Sequence, residues 1–328
     1  MRAVVLHAHG GPEVLTLEDV ADPEPGPDDV LVAVAATAVN RADLLQRMGM
    51  YANPFPEEAE IPGLEFAGTV IDRGRRARVW SIGDQVMGIA AGGGYAERIA
   101  VHERQLLRVP RGIALPDAAA IPEVFLTAWD ALVVQGGLTS GRWALVHAGA
   151  SGVGTAAIQL AKALGARVVT TCSGGKVDAC RSLGADRVVD HGAEDFVAAV
   201  REETGGAGAD VILDVVGGDY AARNLRAVAT KGAIVQVGVM AGGSVPFELG
   251  LLLSKRVRLI GTVLRARPVE EKIALTQRFA AEILPLFDSG ALRPVIDSRH
   301  PLAEIAVAQE VMAANRNVGK IVIDVNGS

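Results

Sequence analysis

The chain has 328 residues, half of them hydrophobic but only 4% aromatic, and its formal net charge at pH 7 is −6. This length predicts about two domains with a large buried core. The negative charge, with no cluster of Lys and Arg, excludes a basic surface for nucleic acid. Each long apolar stretch is interrupted by polar residues, so we predict no membrane span.

The first 122 residues are rich in Pro, Gly and short β-type runs. A strand-like run, 3–6, begins almost at the first residue without a preceding signal peptide, so we expect a cytoplasmic protein. Further strands are predicted at 30–35, 68–71, 85–88 and 104–109, and turn clusters such as the Pro-rich segment 22–27 separate them. This texture predicts a small β-rich domain.

From about Glu123 onward, the pattern changes to alternating strands and helices. Strands are predicted at 188–190, 210–215, 233–238 and 256–261. Such alternation predicts a doubly wound parallel sheet, that is, an α/β fold. After about Leu264 we predict helices over 269–286 and 302–315 and a terminal strand over 319–324.

The most informative segment is a glycine-rich loop. A buried strand begins at Ala144, the loop Gly149-Ala-Ser-Gly152-Val-Gly154 follows, and Ala156 begins the apolar face of a helix. A loop of this kind at a helix N-terminus binds phosphate through unpaired N–H groups and the helix dipole. The alternative is a tight turn whose small residues serve packing, because the spacing GxxGxG differs from the usual GxGxxG.

The register of the next strand favours the dinucleotide interpretation. That strand covers 167–171, and the turn 172–176 lies about 20 residues past the glycines, where such folds meet the adenosine ribose. NAD-binding folds place an Asp or Glu here, which repels a 2′-phosphate. This strand ends without an acid, whereas Ser173 can donate a hydrogen bond and Lys176 brings a positive charge. The turn therefore predicts NADPH, although Lys176 could also be an ordinary solvated residue at a helix start.

Six ordered segments carry a family resemblance that runs nearly end to end. They are Asn40-Arg-Ala-Asp43, Gly92-Gly-Gly94, Ala119-Ala-Ile-Pro-Glu123, 147–159, Val263-Leu-Arg-Ala-Arg267 and Asn317-Val-Gly-Lys-Ile-Val322. On these segments the chain resembles the zinc-free quinone oxidoreductases of the medium-chain dehydrogenase/reductase superfamily. The resemblance implies a GroES-like β-rich catalytic domain formed by 1–123 and 265–328, with a Rossmann NADP-binding domain, 124–264, inserted into it and the active cleft between them. It also implies a homodimer, joined where the edge strand 256–261 pairs with its own copy.

The resemblance also bears on metal chemistry. Zinc-dependent members of the superfamily take ligands from positions that correspond here to Asn40, Leu64 and Glu123. Leucine cannot bind a metal, and one carboxylate with one amide is no zinc site. The two cysteines are too few for a Cys-rich zinc site, and the six histidines show no ligand spacing. We therefore predict no metal, and without a Lewis acid the hydride acceptor must itself disperse negative charge.

Three functions remain open at this point. The resemblance implies an NADPH-dependent quinone reductase, because a quinone becomes aromatic when it accepts hydride. A reductase of α,β-unsaturated aldehydes or ketones would use nearly the same site. The alternative of another class is an NADP(H)-binding redox sensor or structural protein with little catalysis.

The catalytic candidates are Tyr51 and Asn40. In the family a tyrosine at the position of Tyr51 faces the substrate and can donate a proton, although the residues alone favour a loop tyrosine packed against proline. Asn40 occupies the vacated ligand position and is expected to face the nicotinamide. Ser151 is expected to set backbone geometry, with a hydroxyl contact to the cofactor as the alternative.

The remaining expectations concern cofactor contacts. His191 stands where relatives often have a tyrosine near the adenosine phosphate, so protonation there would add charge and make the NADP preference sensitive to pH. The full predicted set of cofactor contacts is Asn40, Thr127, Gly149, Ser151, Gly152, Val153, Gly154, Ser173, Lys176, His191, Gly217, Gly238, Met240, Leu264 and Asn317.

Overall fold

The computed structural model describes residues 1–51, 53–54 and 60–325. The chain forms two compact units, one made of Met1–Leu126 with Leu264–Ser328 and the other of Thr127–Val263. No helix in the described part of the chain has the length and apolar character needed to cross a membrane.

The strands of the two units are numbered along the chain. They are β1 (Arg2–Leu6), β2 (Leu15–Asp19), β3 (Asp29–Ala38), β4 (Glu65–Arg73), β5 (Gln85–Ile89), β6 (Arg98–His102), β7 (Leu106–Arg108), β8 (Trp143–Val146), β9 (Arg167–Cys172), β10 (Arg187–Asp190), β11 (Ala209–Asp214), β12 (Val228–Gln236), β13 (Arg258–Gly261), β14 (Ile296–Pro301) and β15 (Lys320–Asp324).

The α-helices are numbered in the same way. They are α1 (Arg41–Arg47), α2 (Leu115–Ala118), α3 (Pro122–Trp129), α4 (Gly152–Ala163), α5 (Val177–Ser182), α6 (Phe196–Glu203), α7 (Tyr220–Ala227), α8 (Leu249–Lys255), α9 (Val269–Glu282), α10 (Leu284–Asp288) and α11 (Ile305–Ala313). A π-helix, Asp130–Gln135, continues α3.

The first unit contains the predicted β-rich domain. A seven-stranded sheet has the order β14-β15-β3-β4-β5-β7, with β6 paired to β3, and β1 and β2 form a separate antiparallel pair. Val30, Val32 and Val34 of β3 are buried at every second position, which is the pattern of a strand with one face on the core. They pack in one cluster with Phe66 and Tyr95. The end of β3 leads directly into α1.

The second unit confirms the predicted doubly wound parallel sheet. Its strand order is β10-β9-β8-β11-β12-β13, and all neighbouring pairs are parallel. The order reverses between β8 and β11, and ligands of such sheets bind at the carboxyl ends of the strands at this switch point. The glycine-rich loop follows β8 and therefore lies at that position.

Several predicted elements differ from the structure, among them the helix predicted over 302–315, which starts as a 3₁₀ turn, Leu302–Glu304, before α11. The helix predicted over 269–286 is two helices, because Pro285 has no N–H to continue the first one past Ile283. The strand predicted over 256–261 begins only at Arg258, since Arg256 takes the left-handed conformation (φ 54°) that ends α8. The segment predicted as a strand from 104 starts as a 3₁₀ turn, Glu103–Gln105, so that β7 is short.

Candidate active site

In the first unit, Asn40 is held in a buried polar network. Its backbone N–H donates to Asp43 Oδ2 at 2.8 Å, and its Nδ2 donates to Glu65 Oε1 at 2.9 Å. Lys320 Nζ donates to Asn40 Oδ1 at 2.7 Å and forms a 2.7 Å ion pair with Glu65 Oε1. Lys320 and Glu65 are only 2% and 0% exposed. The network fixes both ends of the Asn40 amide, so this side chain has one defined orientation.

These residues do not fit a zinc ion. Leu64 is buried and apolar, and the oxygen of Asn40 that would face a metal already accepts a hydrogen bond from the Lys320 ammonium. A divalent cation at that oxygen would be repelled by the neighbouring ammonium charge. Within the described ranges, no three His, Cys, Asp or Glu side chains are grouped so that they could hold a metal.

Two acidic groups next to this network have unusual pKa values. Asp43 is fully buried and accepts a hydrogen bond from Tyr95 Oη at 2.7 Å, and burial raises its pKa to about 6. Glu123, in the first turn of α3, donates its backbone N–H to Glu65 Oε2 at 2.8 Å. Burial and then the charge of Glu65 raise the pKa of the Glu123 carboxyl to about 8. The Glu123 side chain is therefore a neutral acid at pH 7.

This shift predicts a pH dependence of stability. As pH rises, the unfolded chain releases this proton at the ordinary glutamate pKa of 4.5, whereas the folded chain keeps it until its pKa of about 8. The contribution of this group to the free energy of unfolding is therefore greatest below about pH 4.5, and it is lost as pH rises toward about 8. We expect Glu123→Gln to raise the thermal midpoint at pH 8.5 more than at pH 5, as measured by differential scanning calorimetry.

The exposed Glu24 provides the control for this experiment. Glu24→Gln should leave the difference between the thermal midpoints at pH 5 and pH 8.5 unchanged. An equal effect of Glu123→Gln at pH 5 and pH 8.5 would contradict the assignment of Glu123 as an acid that is neutral at pH 7.

Tyr51 lies beside a buried guanidinium. The Arg265 guanidinium carbon is 5.4 Å from the centroid of the Tyr51 ring, and Arg265 Nε donates to Ala91 O at 2.6 Å. Arg265 is 5% exposed, and its two terminal nitrogens have no hydrogen-bond partner among the described residues. Burial, and next the charge of Glu123, raise the pKa of the Tyr51 hydroxyl, which therefore stays protonated at neutral pH. A proton donor and a cation thus lie side by side.

Sequence reasoning treated Glu123 only as a position where zinc-dependent relatives place a ligand, and it gave no role to Arg265. Both lie in segments that carry the resemblance, but only the structure shows that Arg265 is near Tyr51 and that burial and the Glu65 charge raise the pKa of Glu123 to about 8. The other two predicted cofactor contacts in this unit, Leu264 and Asn317, are both buried, and Asn317 Nδ2 donates to Gly319 O at 2.7 Å.

In the second unit, the glycine-rich loop leads into the N-terminus of α4. Ser151 precedes α4 and its Oγ accepts a hydrogen bond from Gly154 N at 3.0 Å, which caps the start of the helix. The first turn of a helix leaves N–H groups without intrahelical partners, and in α4 these belong to Gly152 and Val153. A Cβ at Gly149 would lie 2.0 Å from Thr170 Oγ1, so a side chain there would displace the loop.

A buried histidine connects this loop to the neighbouring strands. His147 Nε2 donates to Asn224 Oδ1 at 2.8 Å, because the other end of that amide donates to Asp214 Oδ2 at 2.9 Å. His147 Nδ1 then accepts from Thr171 Oγ1 at 3.1 Å. Asp214 Oδ1 in turn accepts a hydrogen bond from Gly217 N at 3.0 Å. Burial lowers the pKa of His147, which stays neutral and links the ends of β8, β9 and β11.

Other predicted contacts lie near the carboxyl ends of the same strands. Gly217 has a positive φ of 66°, and a Cβ at Gly238 would approach Val215 O to 3.0 Å. The structure places these residues in the second unit: Thr127, Gly149, Ser151, Gly152, Val153, Gly154, Ser173, Lys176, His191, Gly217, Gly238 and Met240.

The turn after β9 contains a carboxylate that sequence reasoning missed. Asp190 ends β10 and pairs in register with Cys172, and a Cβ at Gly174 would lie 2.5 Å from Asp190 Oδ2. The strand β9 itself ends without an acid, as predicted, but the next strand of the sheet supplies one. His191 follows Asp190 and its backbone N–H donates to Cys172 O at 3.0 Å. Aligning the ends of the two strands would have revealed this acid.

Both predicted domain types have known counterparts. Residues 26–111 match the alcohol dehydrogenase GroES-like domain, and residues 152–281 match the zinc-binding dehydrogenase domain. The quinone oxidoreductase of Pseudomonas aeruginosa is 35% identical over 323 residues, which cover 96% of this chain and 97% of that protein. The mycoketide-CoA synthase of Mycobacterium tuberculosis is 33% identical over 323 residues, and there this chain spans 7% of the protein.

Solved structures are similar over nearly the whole chain. The Escherichia coli quinone oxidoreductase complexed with NADPH has a TM-score of 0.89 and 27% identity, with 99% of this chain and 100% of that chain covered. The JamJ enoyl reductase, in its apo form, has a TM-score of 0.88 and 26% identity, with coverages of 98% and 99%. Together with the two domain matches, these similarities show that the chain belongs to the quinone oxidoreductase family of the medium-chain dehydrogenase/reductase superfamily.

Proposed function

We propose that this protein is an NADPH-dependent quinone reductase that works without zinc. The first unit holds the substrate and the second holds NADPH, which supplies a hydride when bound. The observation that carries the proposal is the hydrogen bond from the Lys320 ammonium to Asn40 Oδ1, which occupies the oxygen that a metal would need. A quinone suits such a site because it disperses the charge of the incoming hydride itself.

Tyr51 supplies the proton, and the neighbouring Arg265 supplies a positive charge. The oxygen of the substrate becomes negative as hydride arrives, and the protonated Tyr51 hydroxyl is the donor that can stabilise it. The cation of Arg265 next to the ring favours the same negative charge. Asn40, held by Glu65 and Lys320, orients the nicotinamide edge of the site.

A reductase of conjugated enones is the second candidate. It is supported by the similarity to the JamJ enoyl reductase. An enone yields an enolate, which lacks the aromatic stabilisation of a hydroquinone and therefore needs the Tyr51 donor more.

Steady-state oxidation of NADPH separates these possibilities. We expect turnover with an ortho-quinone, with a lower kcat/KM for an α,β-unsaturated ketone. The reverse order would support the enone reductase. NADPH binding without turnover of either class would contradict both and support a cofactor-binding sensor or structural protein.

The cofactor preference gives a prediction about Lys176. A charge pair at about 4 Å contributes roughly 4 kcal/mol at an effective dielectric of 20, and solvent reduces this to about 1–2 kcal/mol. We therefore expect Lys176→Ala to weaken NADPH binding by about 5- to 30-fold and to leave NADH binding nearly unchanged. Isothermal titration calorimetry with both cofactors measures this.

The neighbouring carboxylate offers the opposite change. Asp190 lies beside Gly174 in the turn 172–176, where a negative charge repels a 2′-phosphate. Asp190→Asn should therefore strengthen NADPH binding relative to NADH binding. Equal losses of both cofactors in Lys176→Ala would show that the lysine supports the fold instead.

We also propose a homodimer formed through β13. This strand lies at the edge of the second unit's sheet, next to exposed apolar side chains on α8 and β13. Leu249, Leu253 and Leu259 are 65%, 71% and 51% exposed. A second copy of the chain can cover these residues and extend the sheet across a two-fold axis.

Sedimentation velocity at micromolar concentration tests the dimer. We expect the unmodified chain to sediment as a dimer and Leu253→Glu to shift it toward the monomer. Ile82→Glu, at a comparably exposed position in the first unit, is the control and should leave the dimer intact. A monomeric unmodified chain would contradict the proposal.

A further inference from the structure

The two cysteines of the chain interact with each other in the second unit, and one of them packs against the glycine-rich loop. Cys172 is the last residue of β9, and Cys180 lies in α5. The Cys180 thiol donates a hydrogen bond to the Cys172 sulfur. Both are free thiols, and they are 3% and 0% exposed. Two oxidisable sulfur atoms are therefore side by side in the reduced protein.

This pair touches both halves of the predicted cofactor site. A Cβ at Gly149 would lie 3.2 Å from Cys180 Sγ, so the loop backbone packs directly on this sulfur. On the other side, Cys172 immediately precedes Ser173, and its carbonyl accepts the backbone N–H of His191. A change in the distance between the two sulfurs would therefore move both the glycine-rich loop and the turn 172–176.

The two thiols differ in reactivity. The hydrogen bond from Cys180, and to a lesser extent the charge of Lys176, lower the pKa of Cys172. The same hydrogen bond and burial raise the pKa of Cys180. Because the thiolate is the nucleophile, Cys172 is the attacking sulfur and Cys180 is the resolving one.

We propose that Cys172 and Cys180 form a reversible disulfide, with hydrogen peroxide as the oxidant, and that this disulfide weakens NADPH binding. The inference rests on the proposed cofactor and not on the proposed quinone substrate. It adds a modification site to the second unit that links the cofactor site to oxidising conditions.

The chemistry has two steps. The Cys172 sulfur attacks one peroxide oxygen, an S–O bond forms as the O–O bond breaks, and the released hydroxide takes the thiol proton and leaves as water. The Cys180 sulfur then attacks the Cys172 sulfenic acid, an S–S bond forms as the S–O bond breaks, and a second water leaves with the Cys180 proton. The two sulfurs lose two electrons in total, and the peroxide is reduced to two waters.

The geometry explains why binding should weaken. A disulfide brings its sulfurs to about 2.05 Å, which is much closer than a hydrogen-bonded contact between thiols. Closing that gap moves α5 toward β9, and Gly149 has no side chain that could absorb the movement. The loop N–H groups and Lys176 then lose their common alignment toward the phosphates.

The test uses the full chain freed of cofactor and treated with hydrogen peroxide. Intact mass after denaturation in N-ethylmaleimide should show two adducts before oxidation. After oxidation it should show no adduct and the loss of two hydrogens. We expect the Kd for NADPH, measured by nicotinamide fluorescence, to rise at least tenfold and to recover with dithiothreitol. By reciprocity, saturating NADPH should then raise the reduction potential of the pair by about 30 mV for each tenfold change.

Two variants serve as controls. In Cys172→Ala and in Cys180→Ala, peroxide should leave the Kd for NADPH unchanged, and circular dichroism checks that each variant folds. If a variant does not fold, the mass and the NADPH titration of the unmodified chain still decide the question.

Several results would overturn the inference. One is a disulfide that leaves the Kd for NADPH unchanged. Another is persistence of both maleimide adducts, or formation of sulfinic acid, after peroxide treatment. A third is a rise in the Kd for NADPH after peroxide treatment that is as large in both variants as in the unmodified chain. Absence of NADPH binding by the reduced chain would refute the inference together with the proposed cofactor. Absence of quinone turnover with intact NADPH binding would contradict only the proposed reaction.

Discussion

Tyr51→Phe is expected to lower kcat/KM for an enone substrate by about 10²- to 10³-fold, because a lost donor to a developing oxyanion costs about 2.7–4 kcal/mol. The variant keeps the ring that packs beside Arg265 and removes only the hydroxyl. An ortho-quinone should lose less, since aromatisation drives the step and water can deliver the proton afterwards. The Kd for NADPH should not change.

Stopped-flow and steady-state measurements with both substrates test this expectation. Tyr220→Phe removes a tyrosine hydroxyl in the second unit and is the matched control. If Tyr51→Phe leaves kcat/KM for both substrates unchanged, Tyr51 is only a loop residue. The proton would then come from water held by Asn40.

The second large effect concerns stability. Lys320→Met should destabilise the first unit by about 3–5 kcal/mol, because it leaves the Glu65 carboxylate buried without its cation. For a domain of this size, that change lowers the thermal midpoint by roughly 6 to 20 °C.

Two further variants make this prediction specific. The double variant Glu65→Gln with Lys320→Met removes both charges and should recover much of the loss, as measured by calorimetry. Lys162→Met breaks a partly exposed pair with Asp186 and should cost at most about 1 kcal/mol. Equal effects of the two single lysine variants would show that the Lys320 pair does not have the energetics of a buried one.

Much of the fold could be predicted from the sequence, because local patterns encode it. The alternation of Val30, Val32 and Val34 predicts a strand with one buried face, and the strand–helix rhythm after Glu123 predicts the parallel sheet. The ends of elements were less predictable. The break at Ile283 follows from a proline two residues later, and the late start of β13 follows from the left-handed Arg256.

The candidate site was predictable only where neighbours in space are also neighbours in sequence. The glycine loop and its capping Ser151 are local, so the sequence contains their geometry. Asp190 approaches the Gly174 turn through the register between two strands, and Lys320 reaches Asn40 from the far end of the chain. The protonation of Glu123 depends on burial and on the nearby Glu65 charge. No local pattern encodes those relations.

The buried network around Asn40 also has a consequence for the order in which the chain acquires its structure. Lys320 and Asn40 are 280 residues apart, and β15 pairs with β3 in the same sheet. The second unit is one continuous segment and can therefore form before that pairing exists, during synthesis from the N-terminal end. The first unit needs the segment around Lys320, which is synthesised after the whole second unit, so the Asn40–Glu65–Lys320 network closes only once that segment has been made.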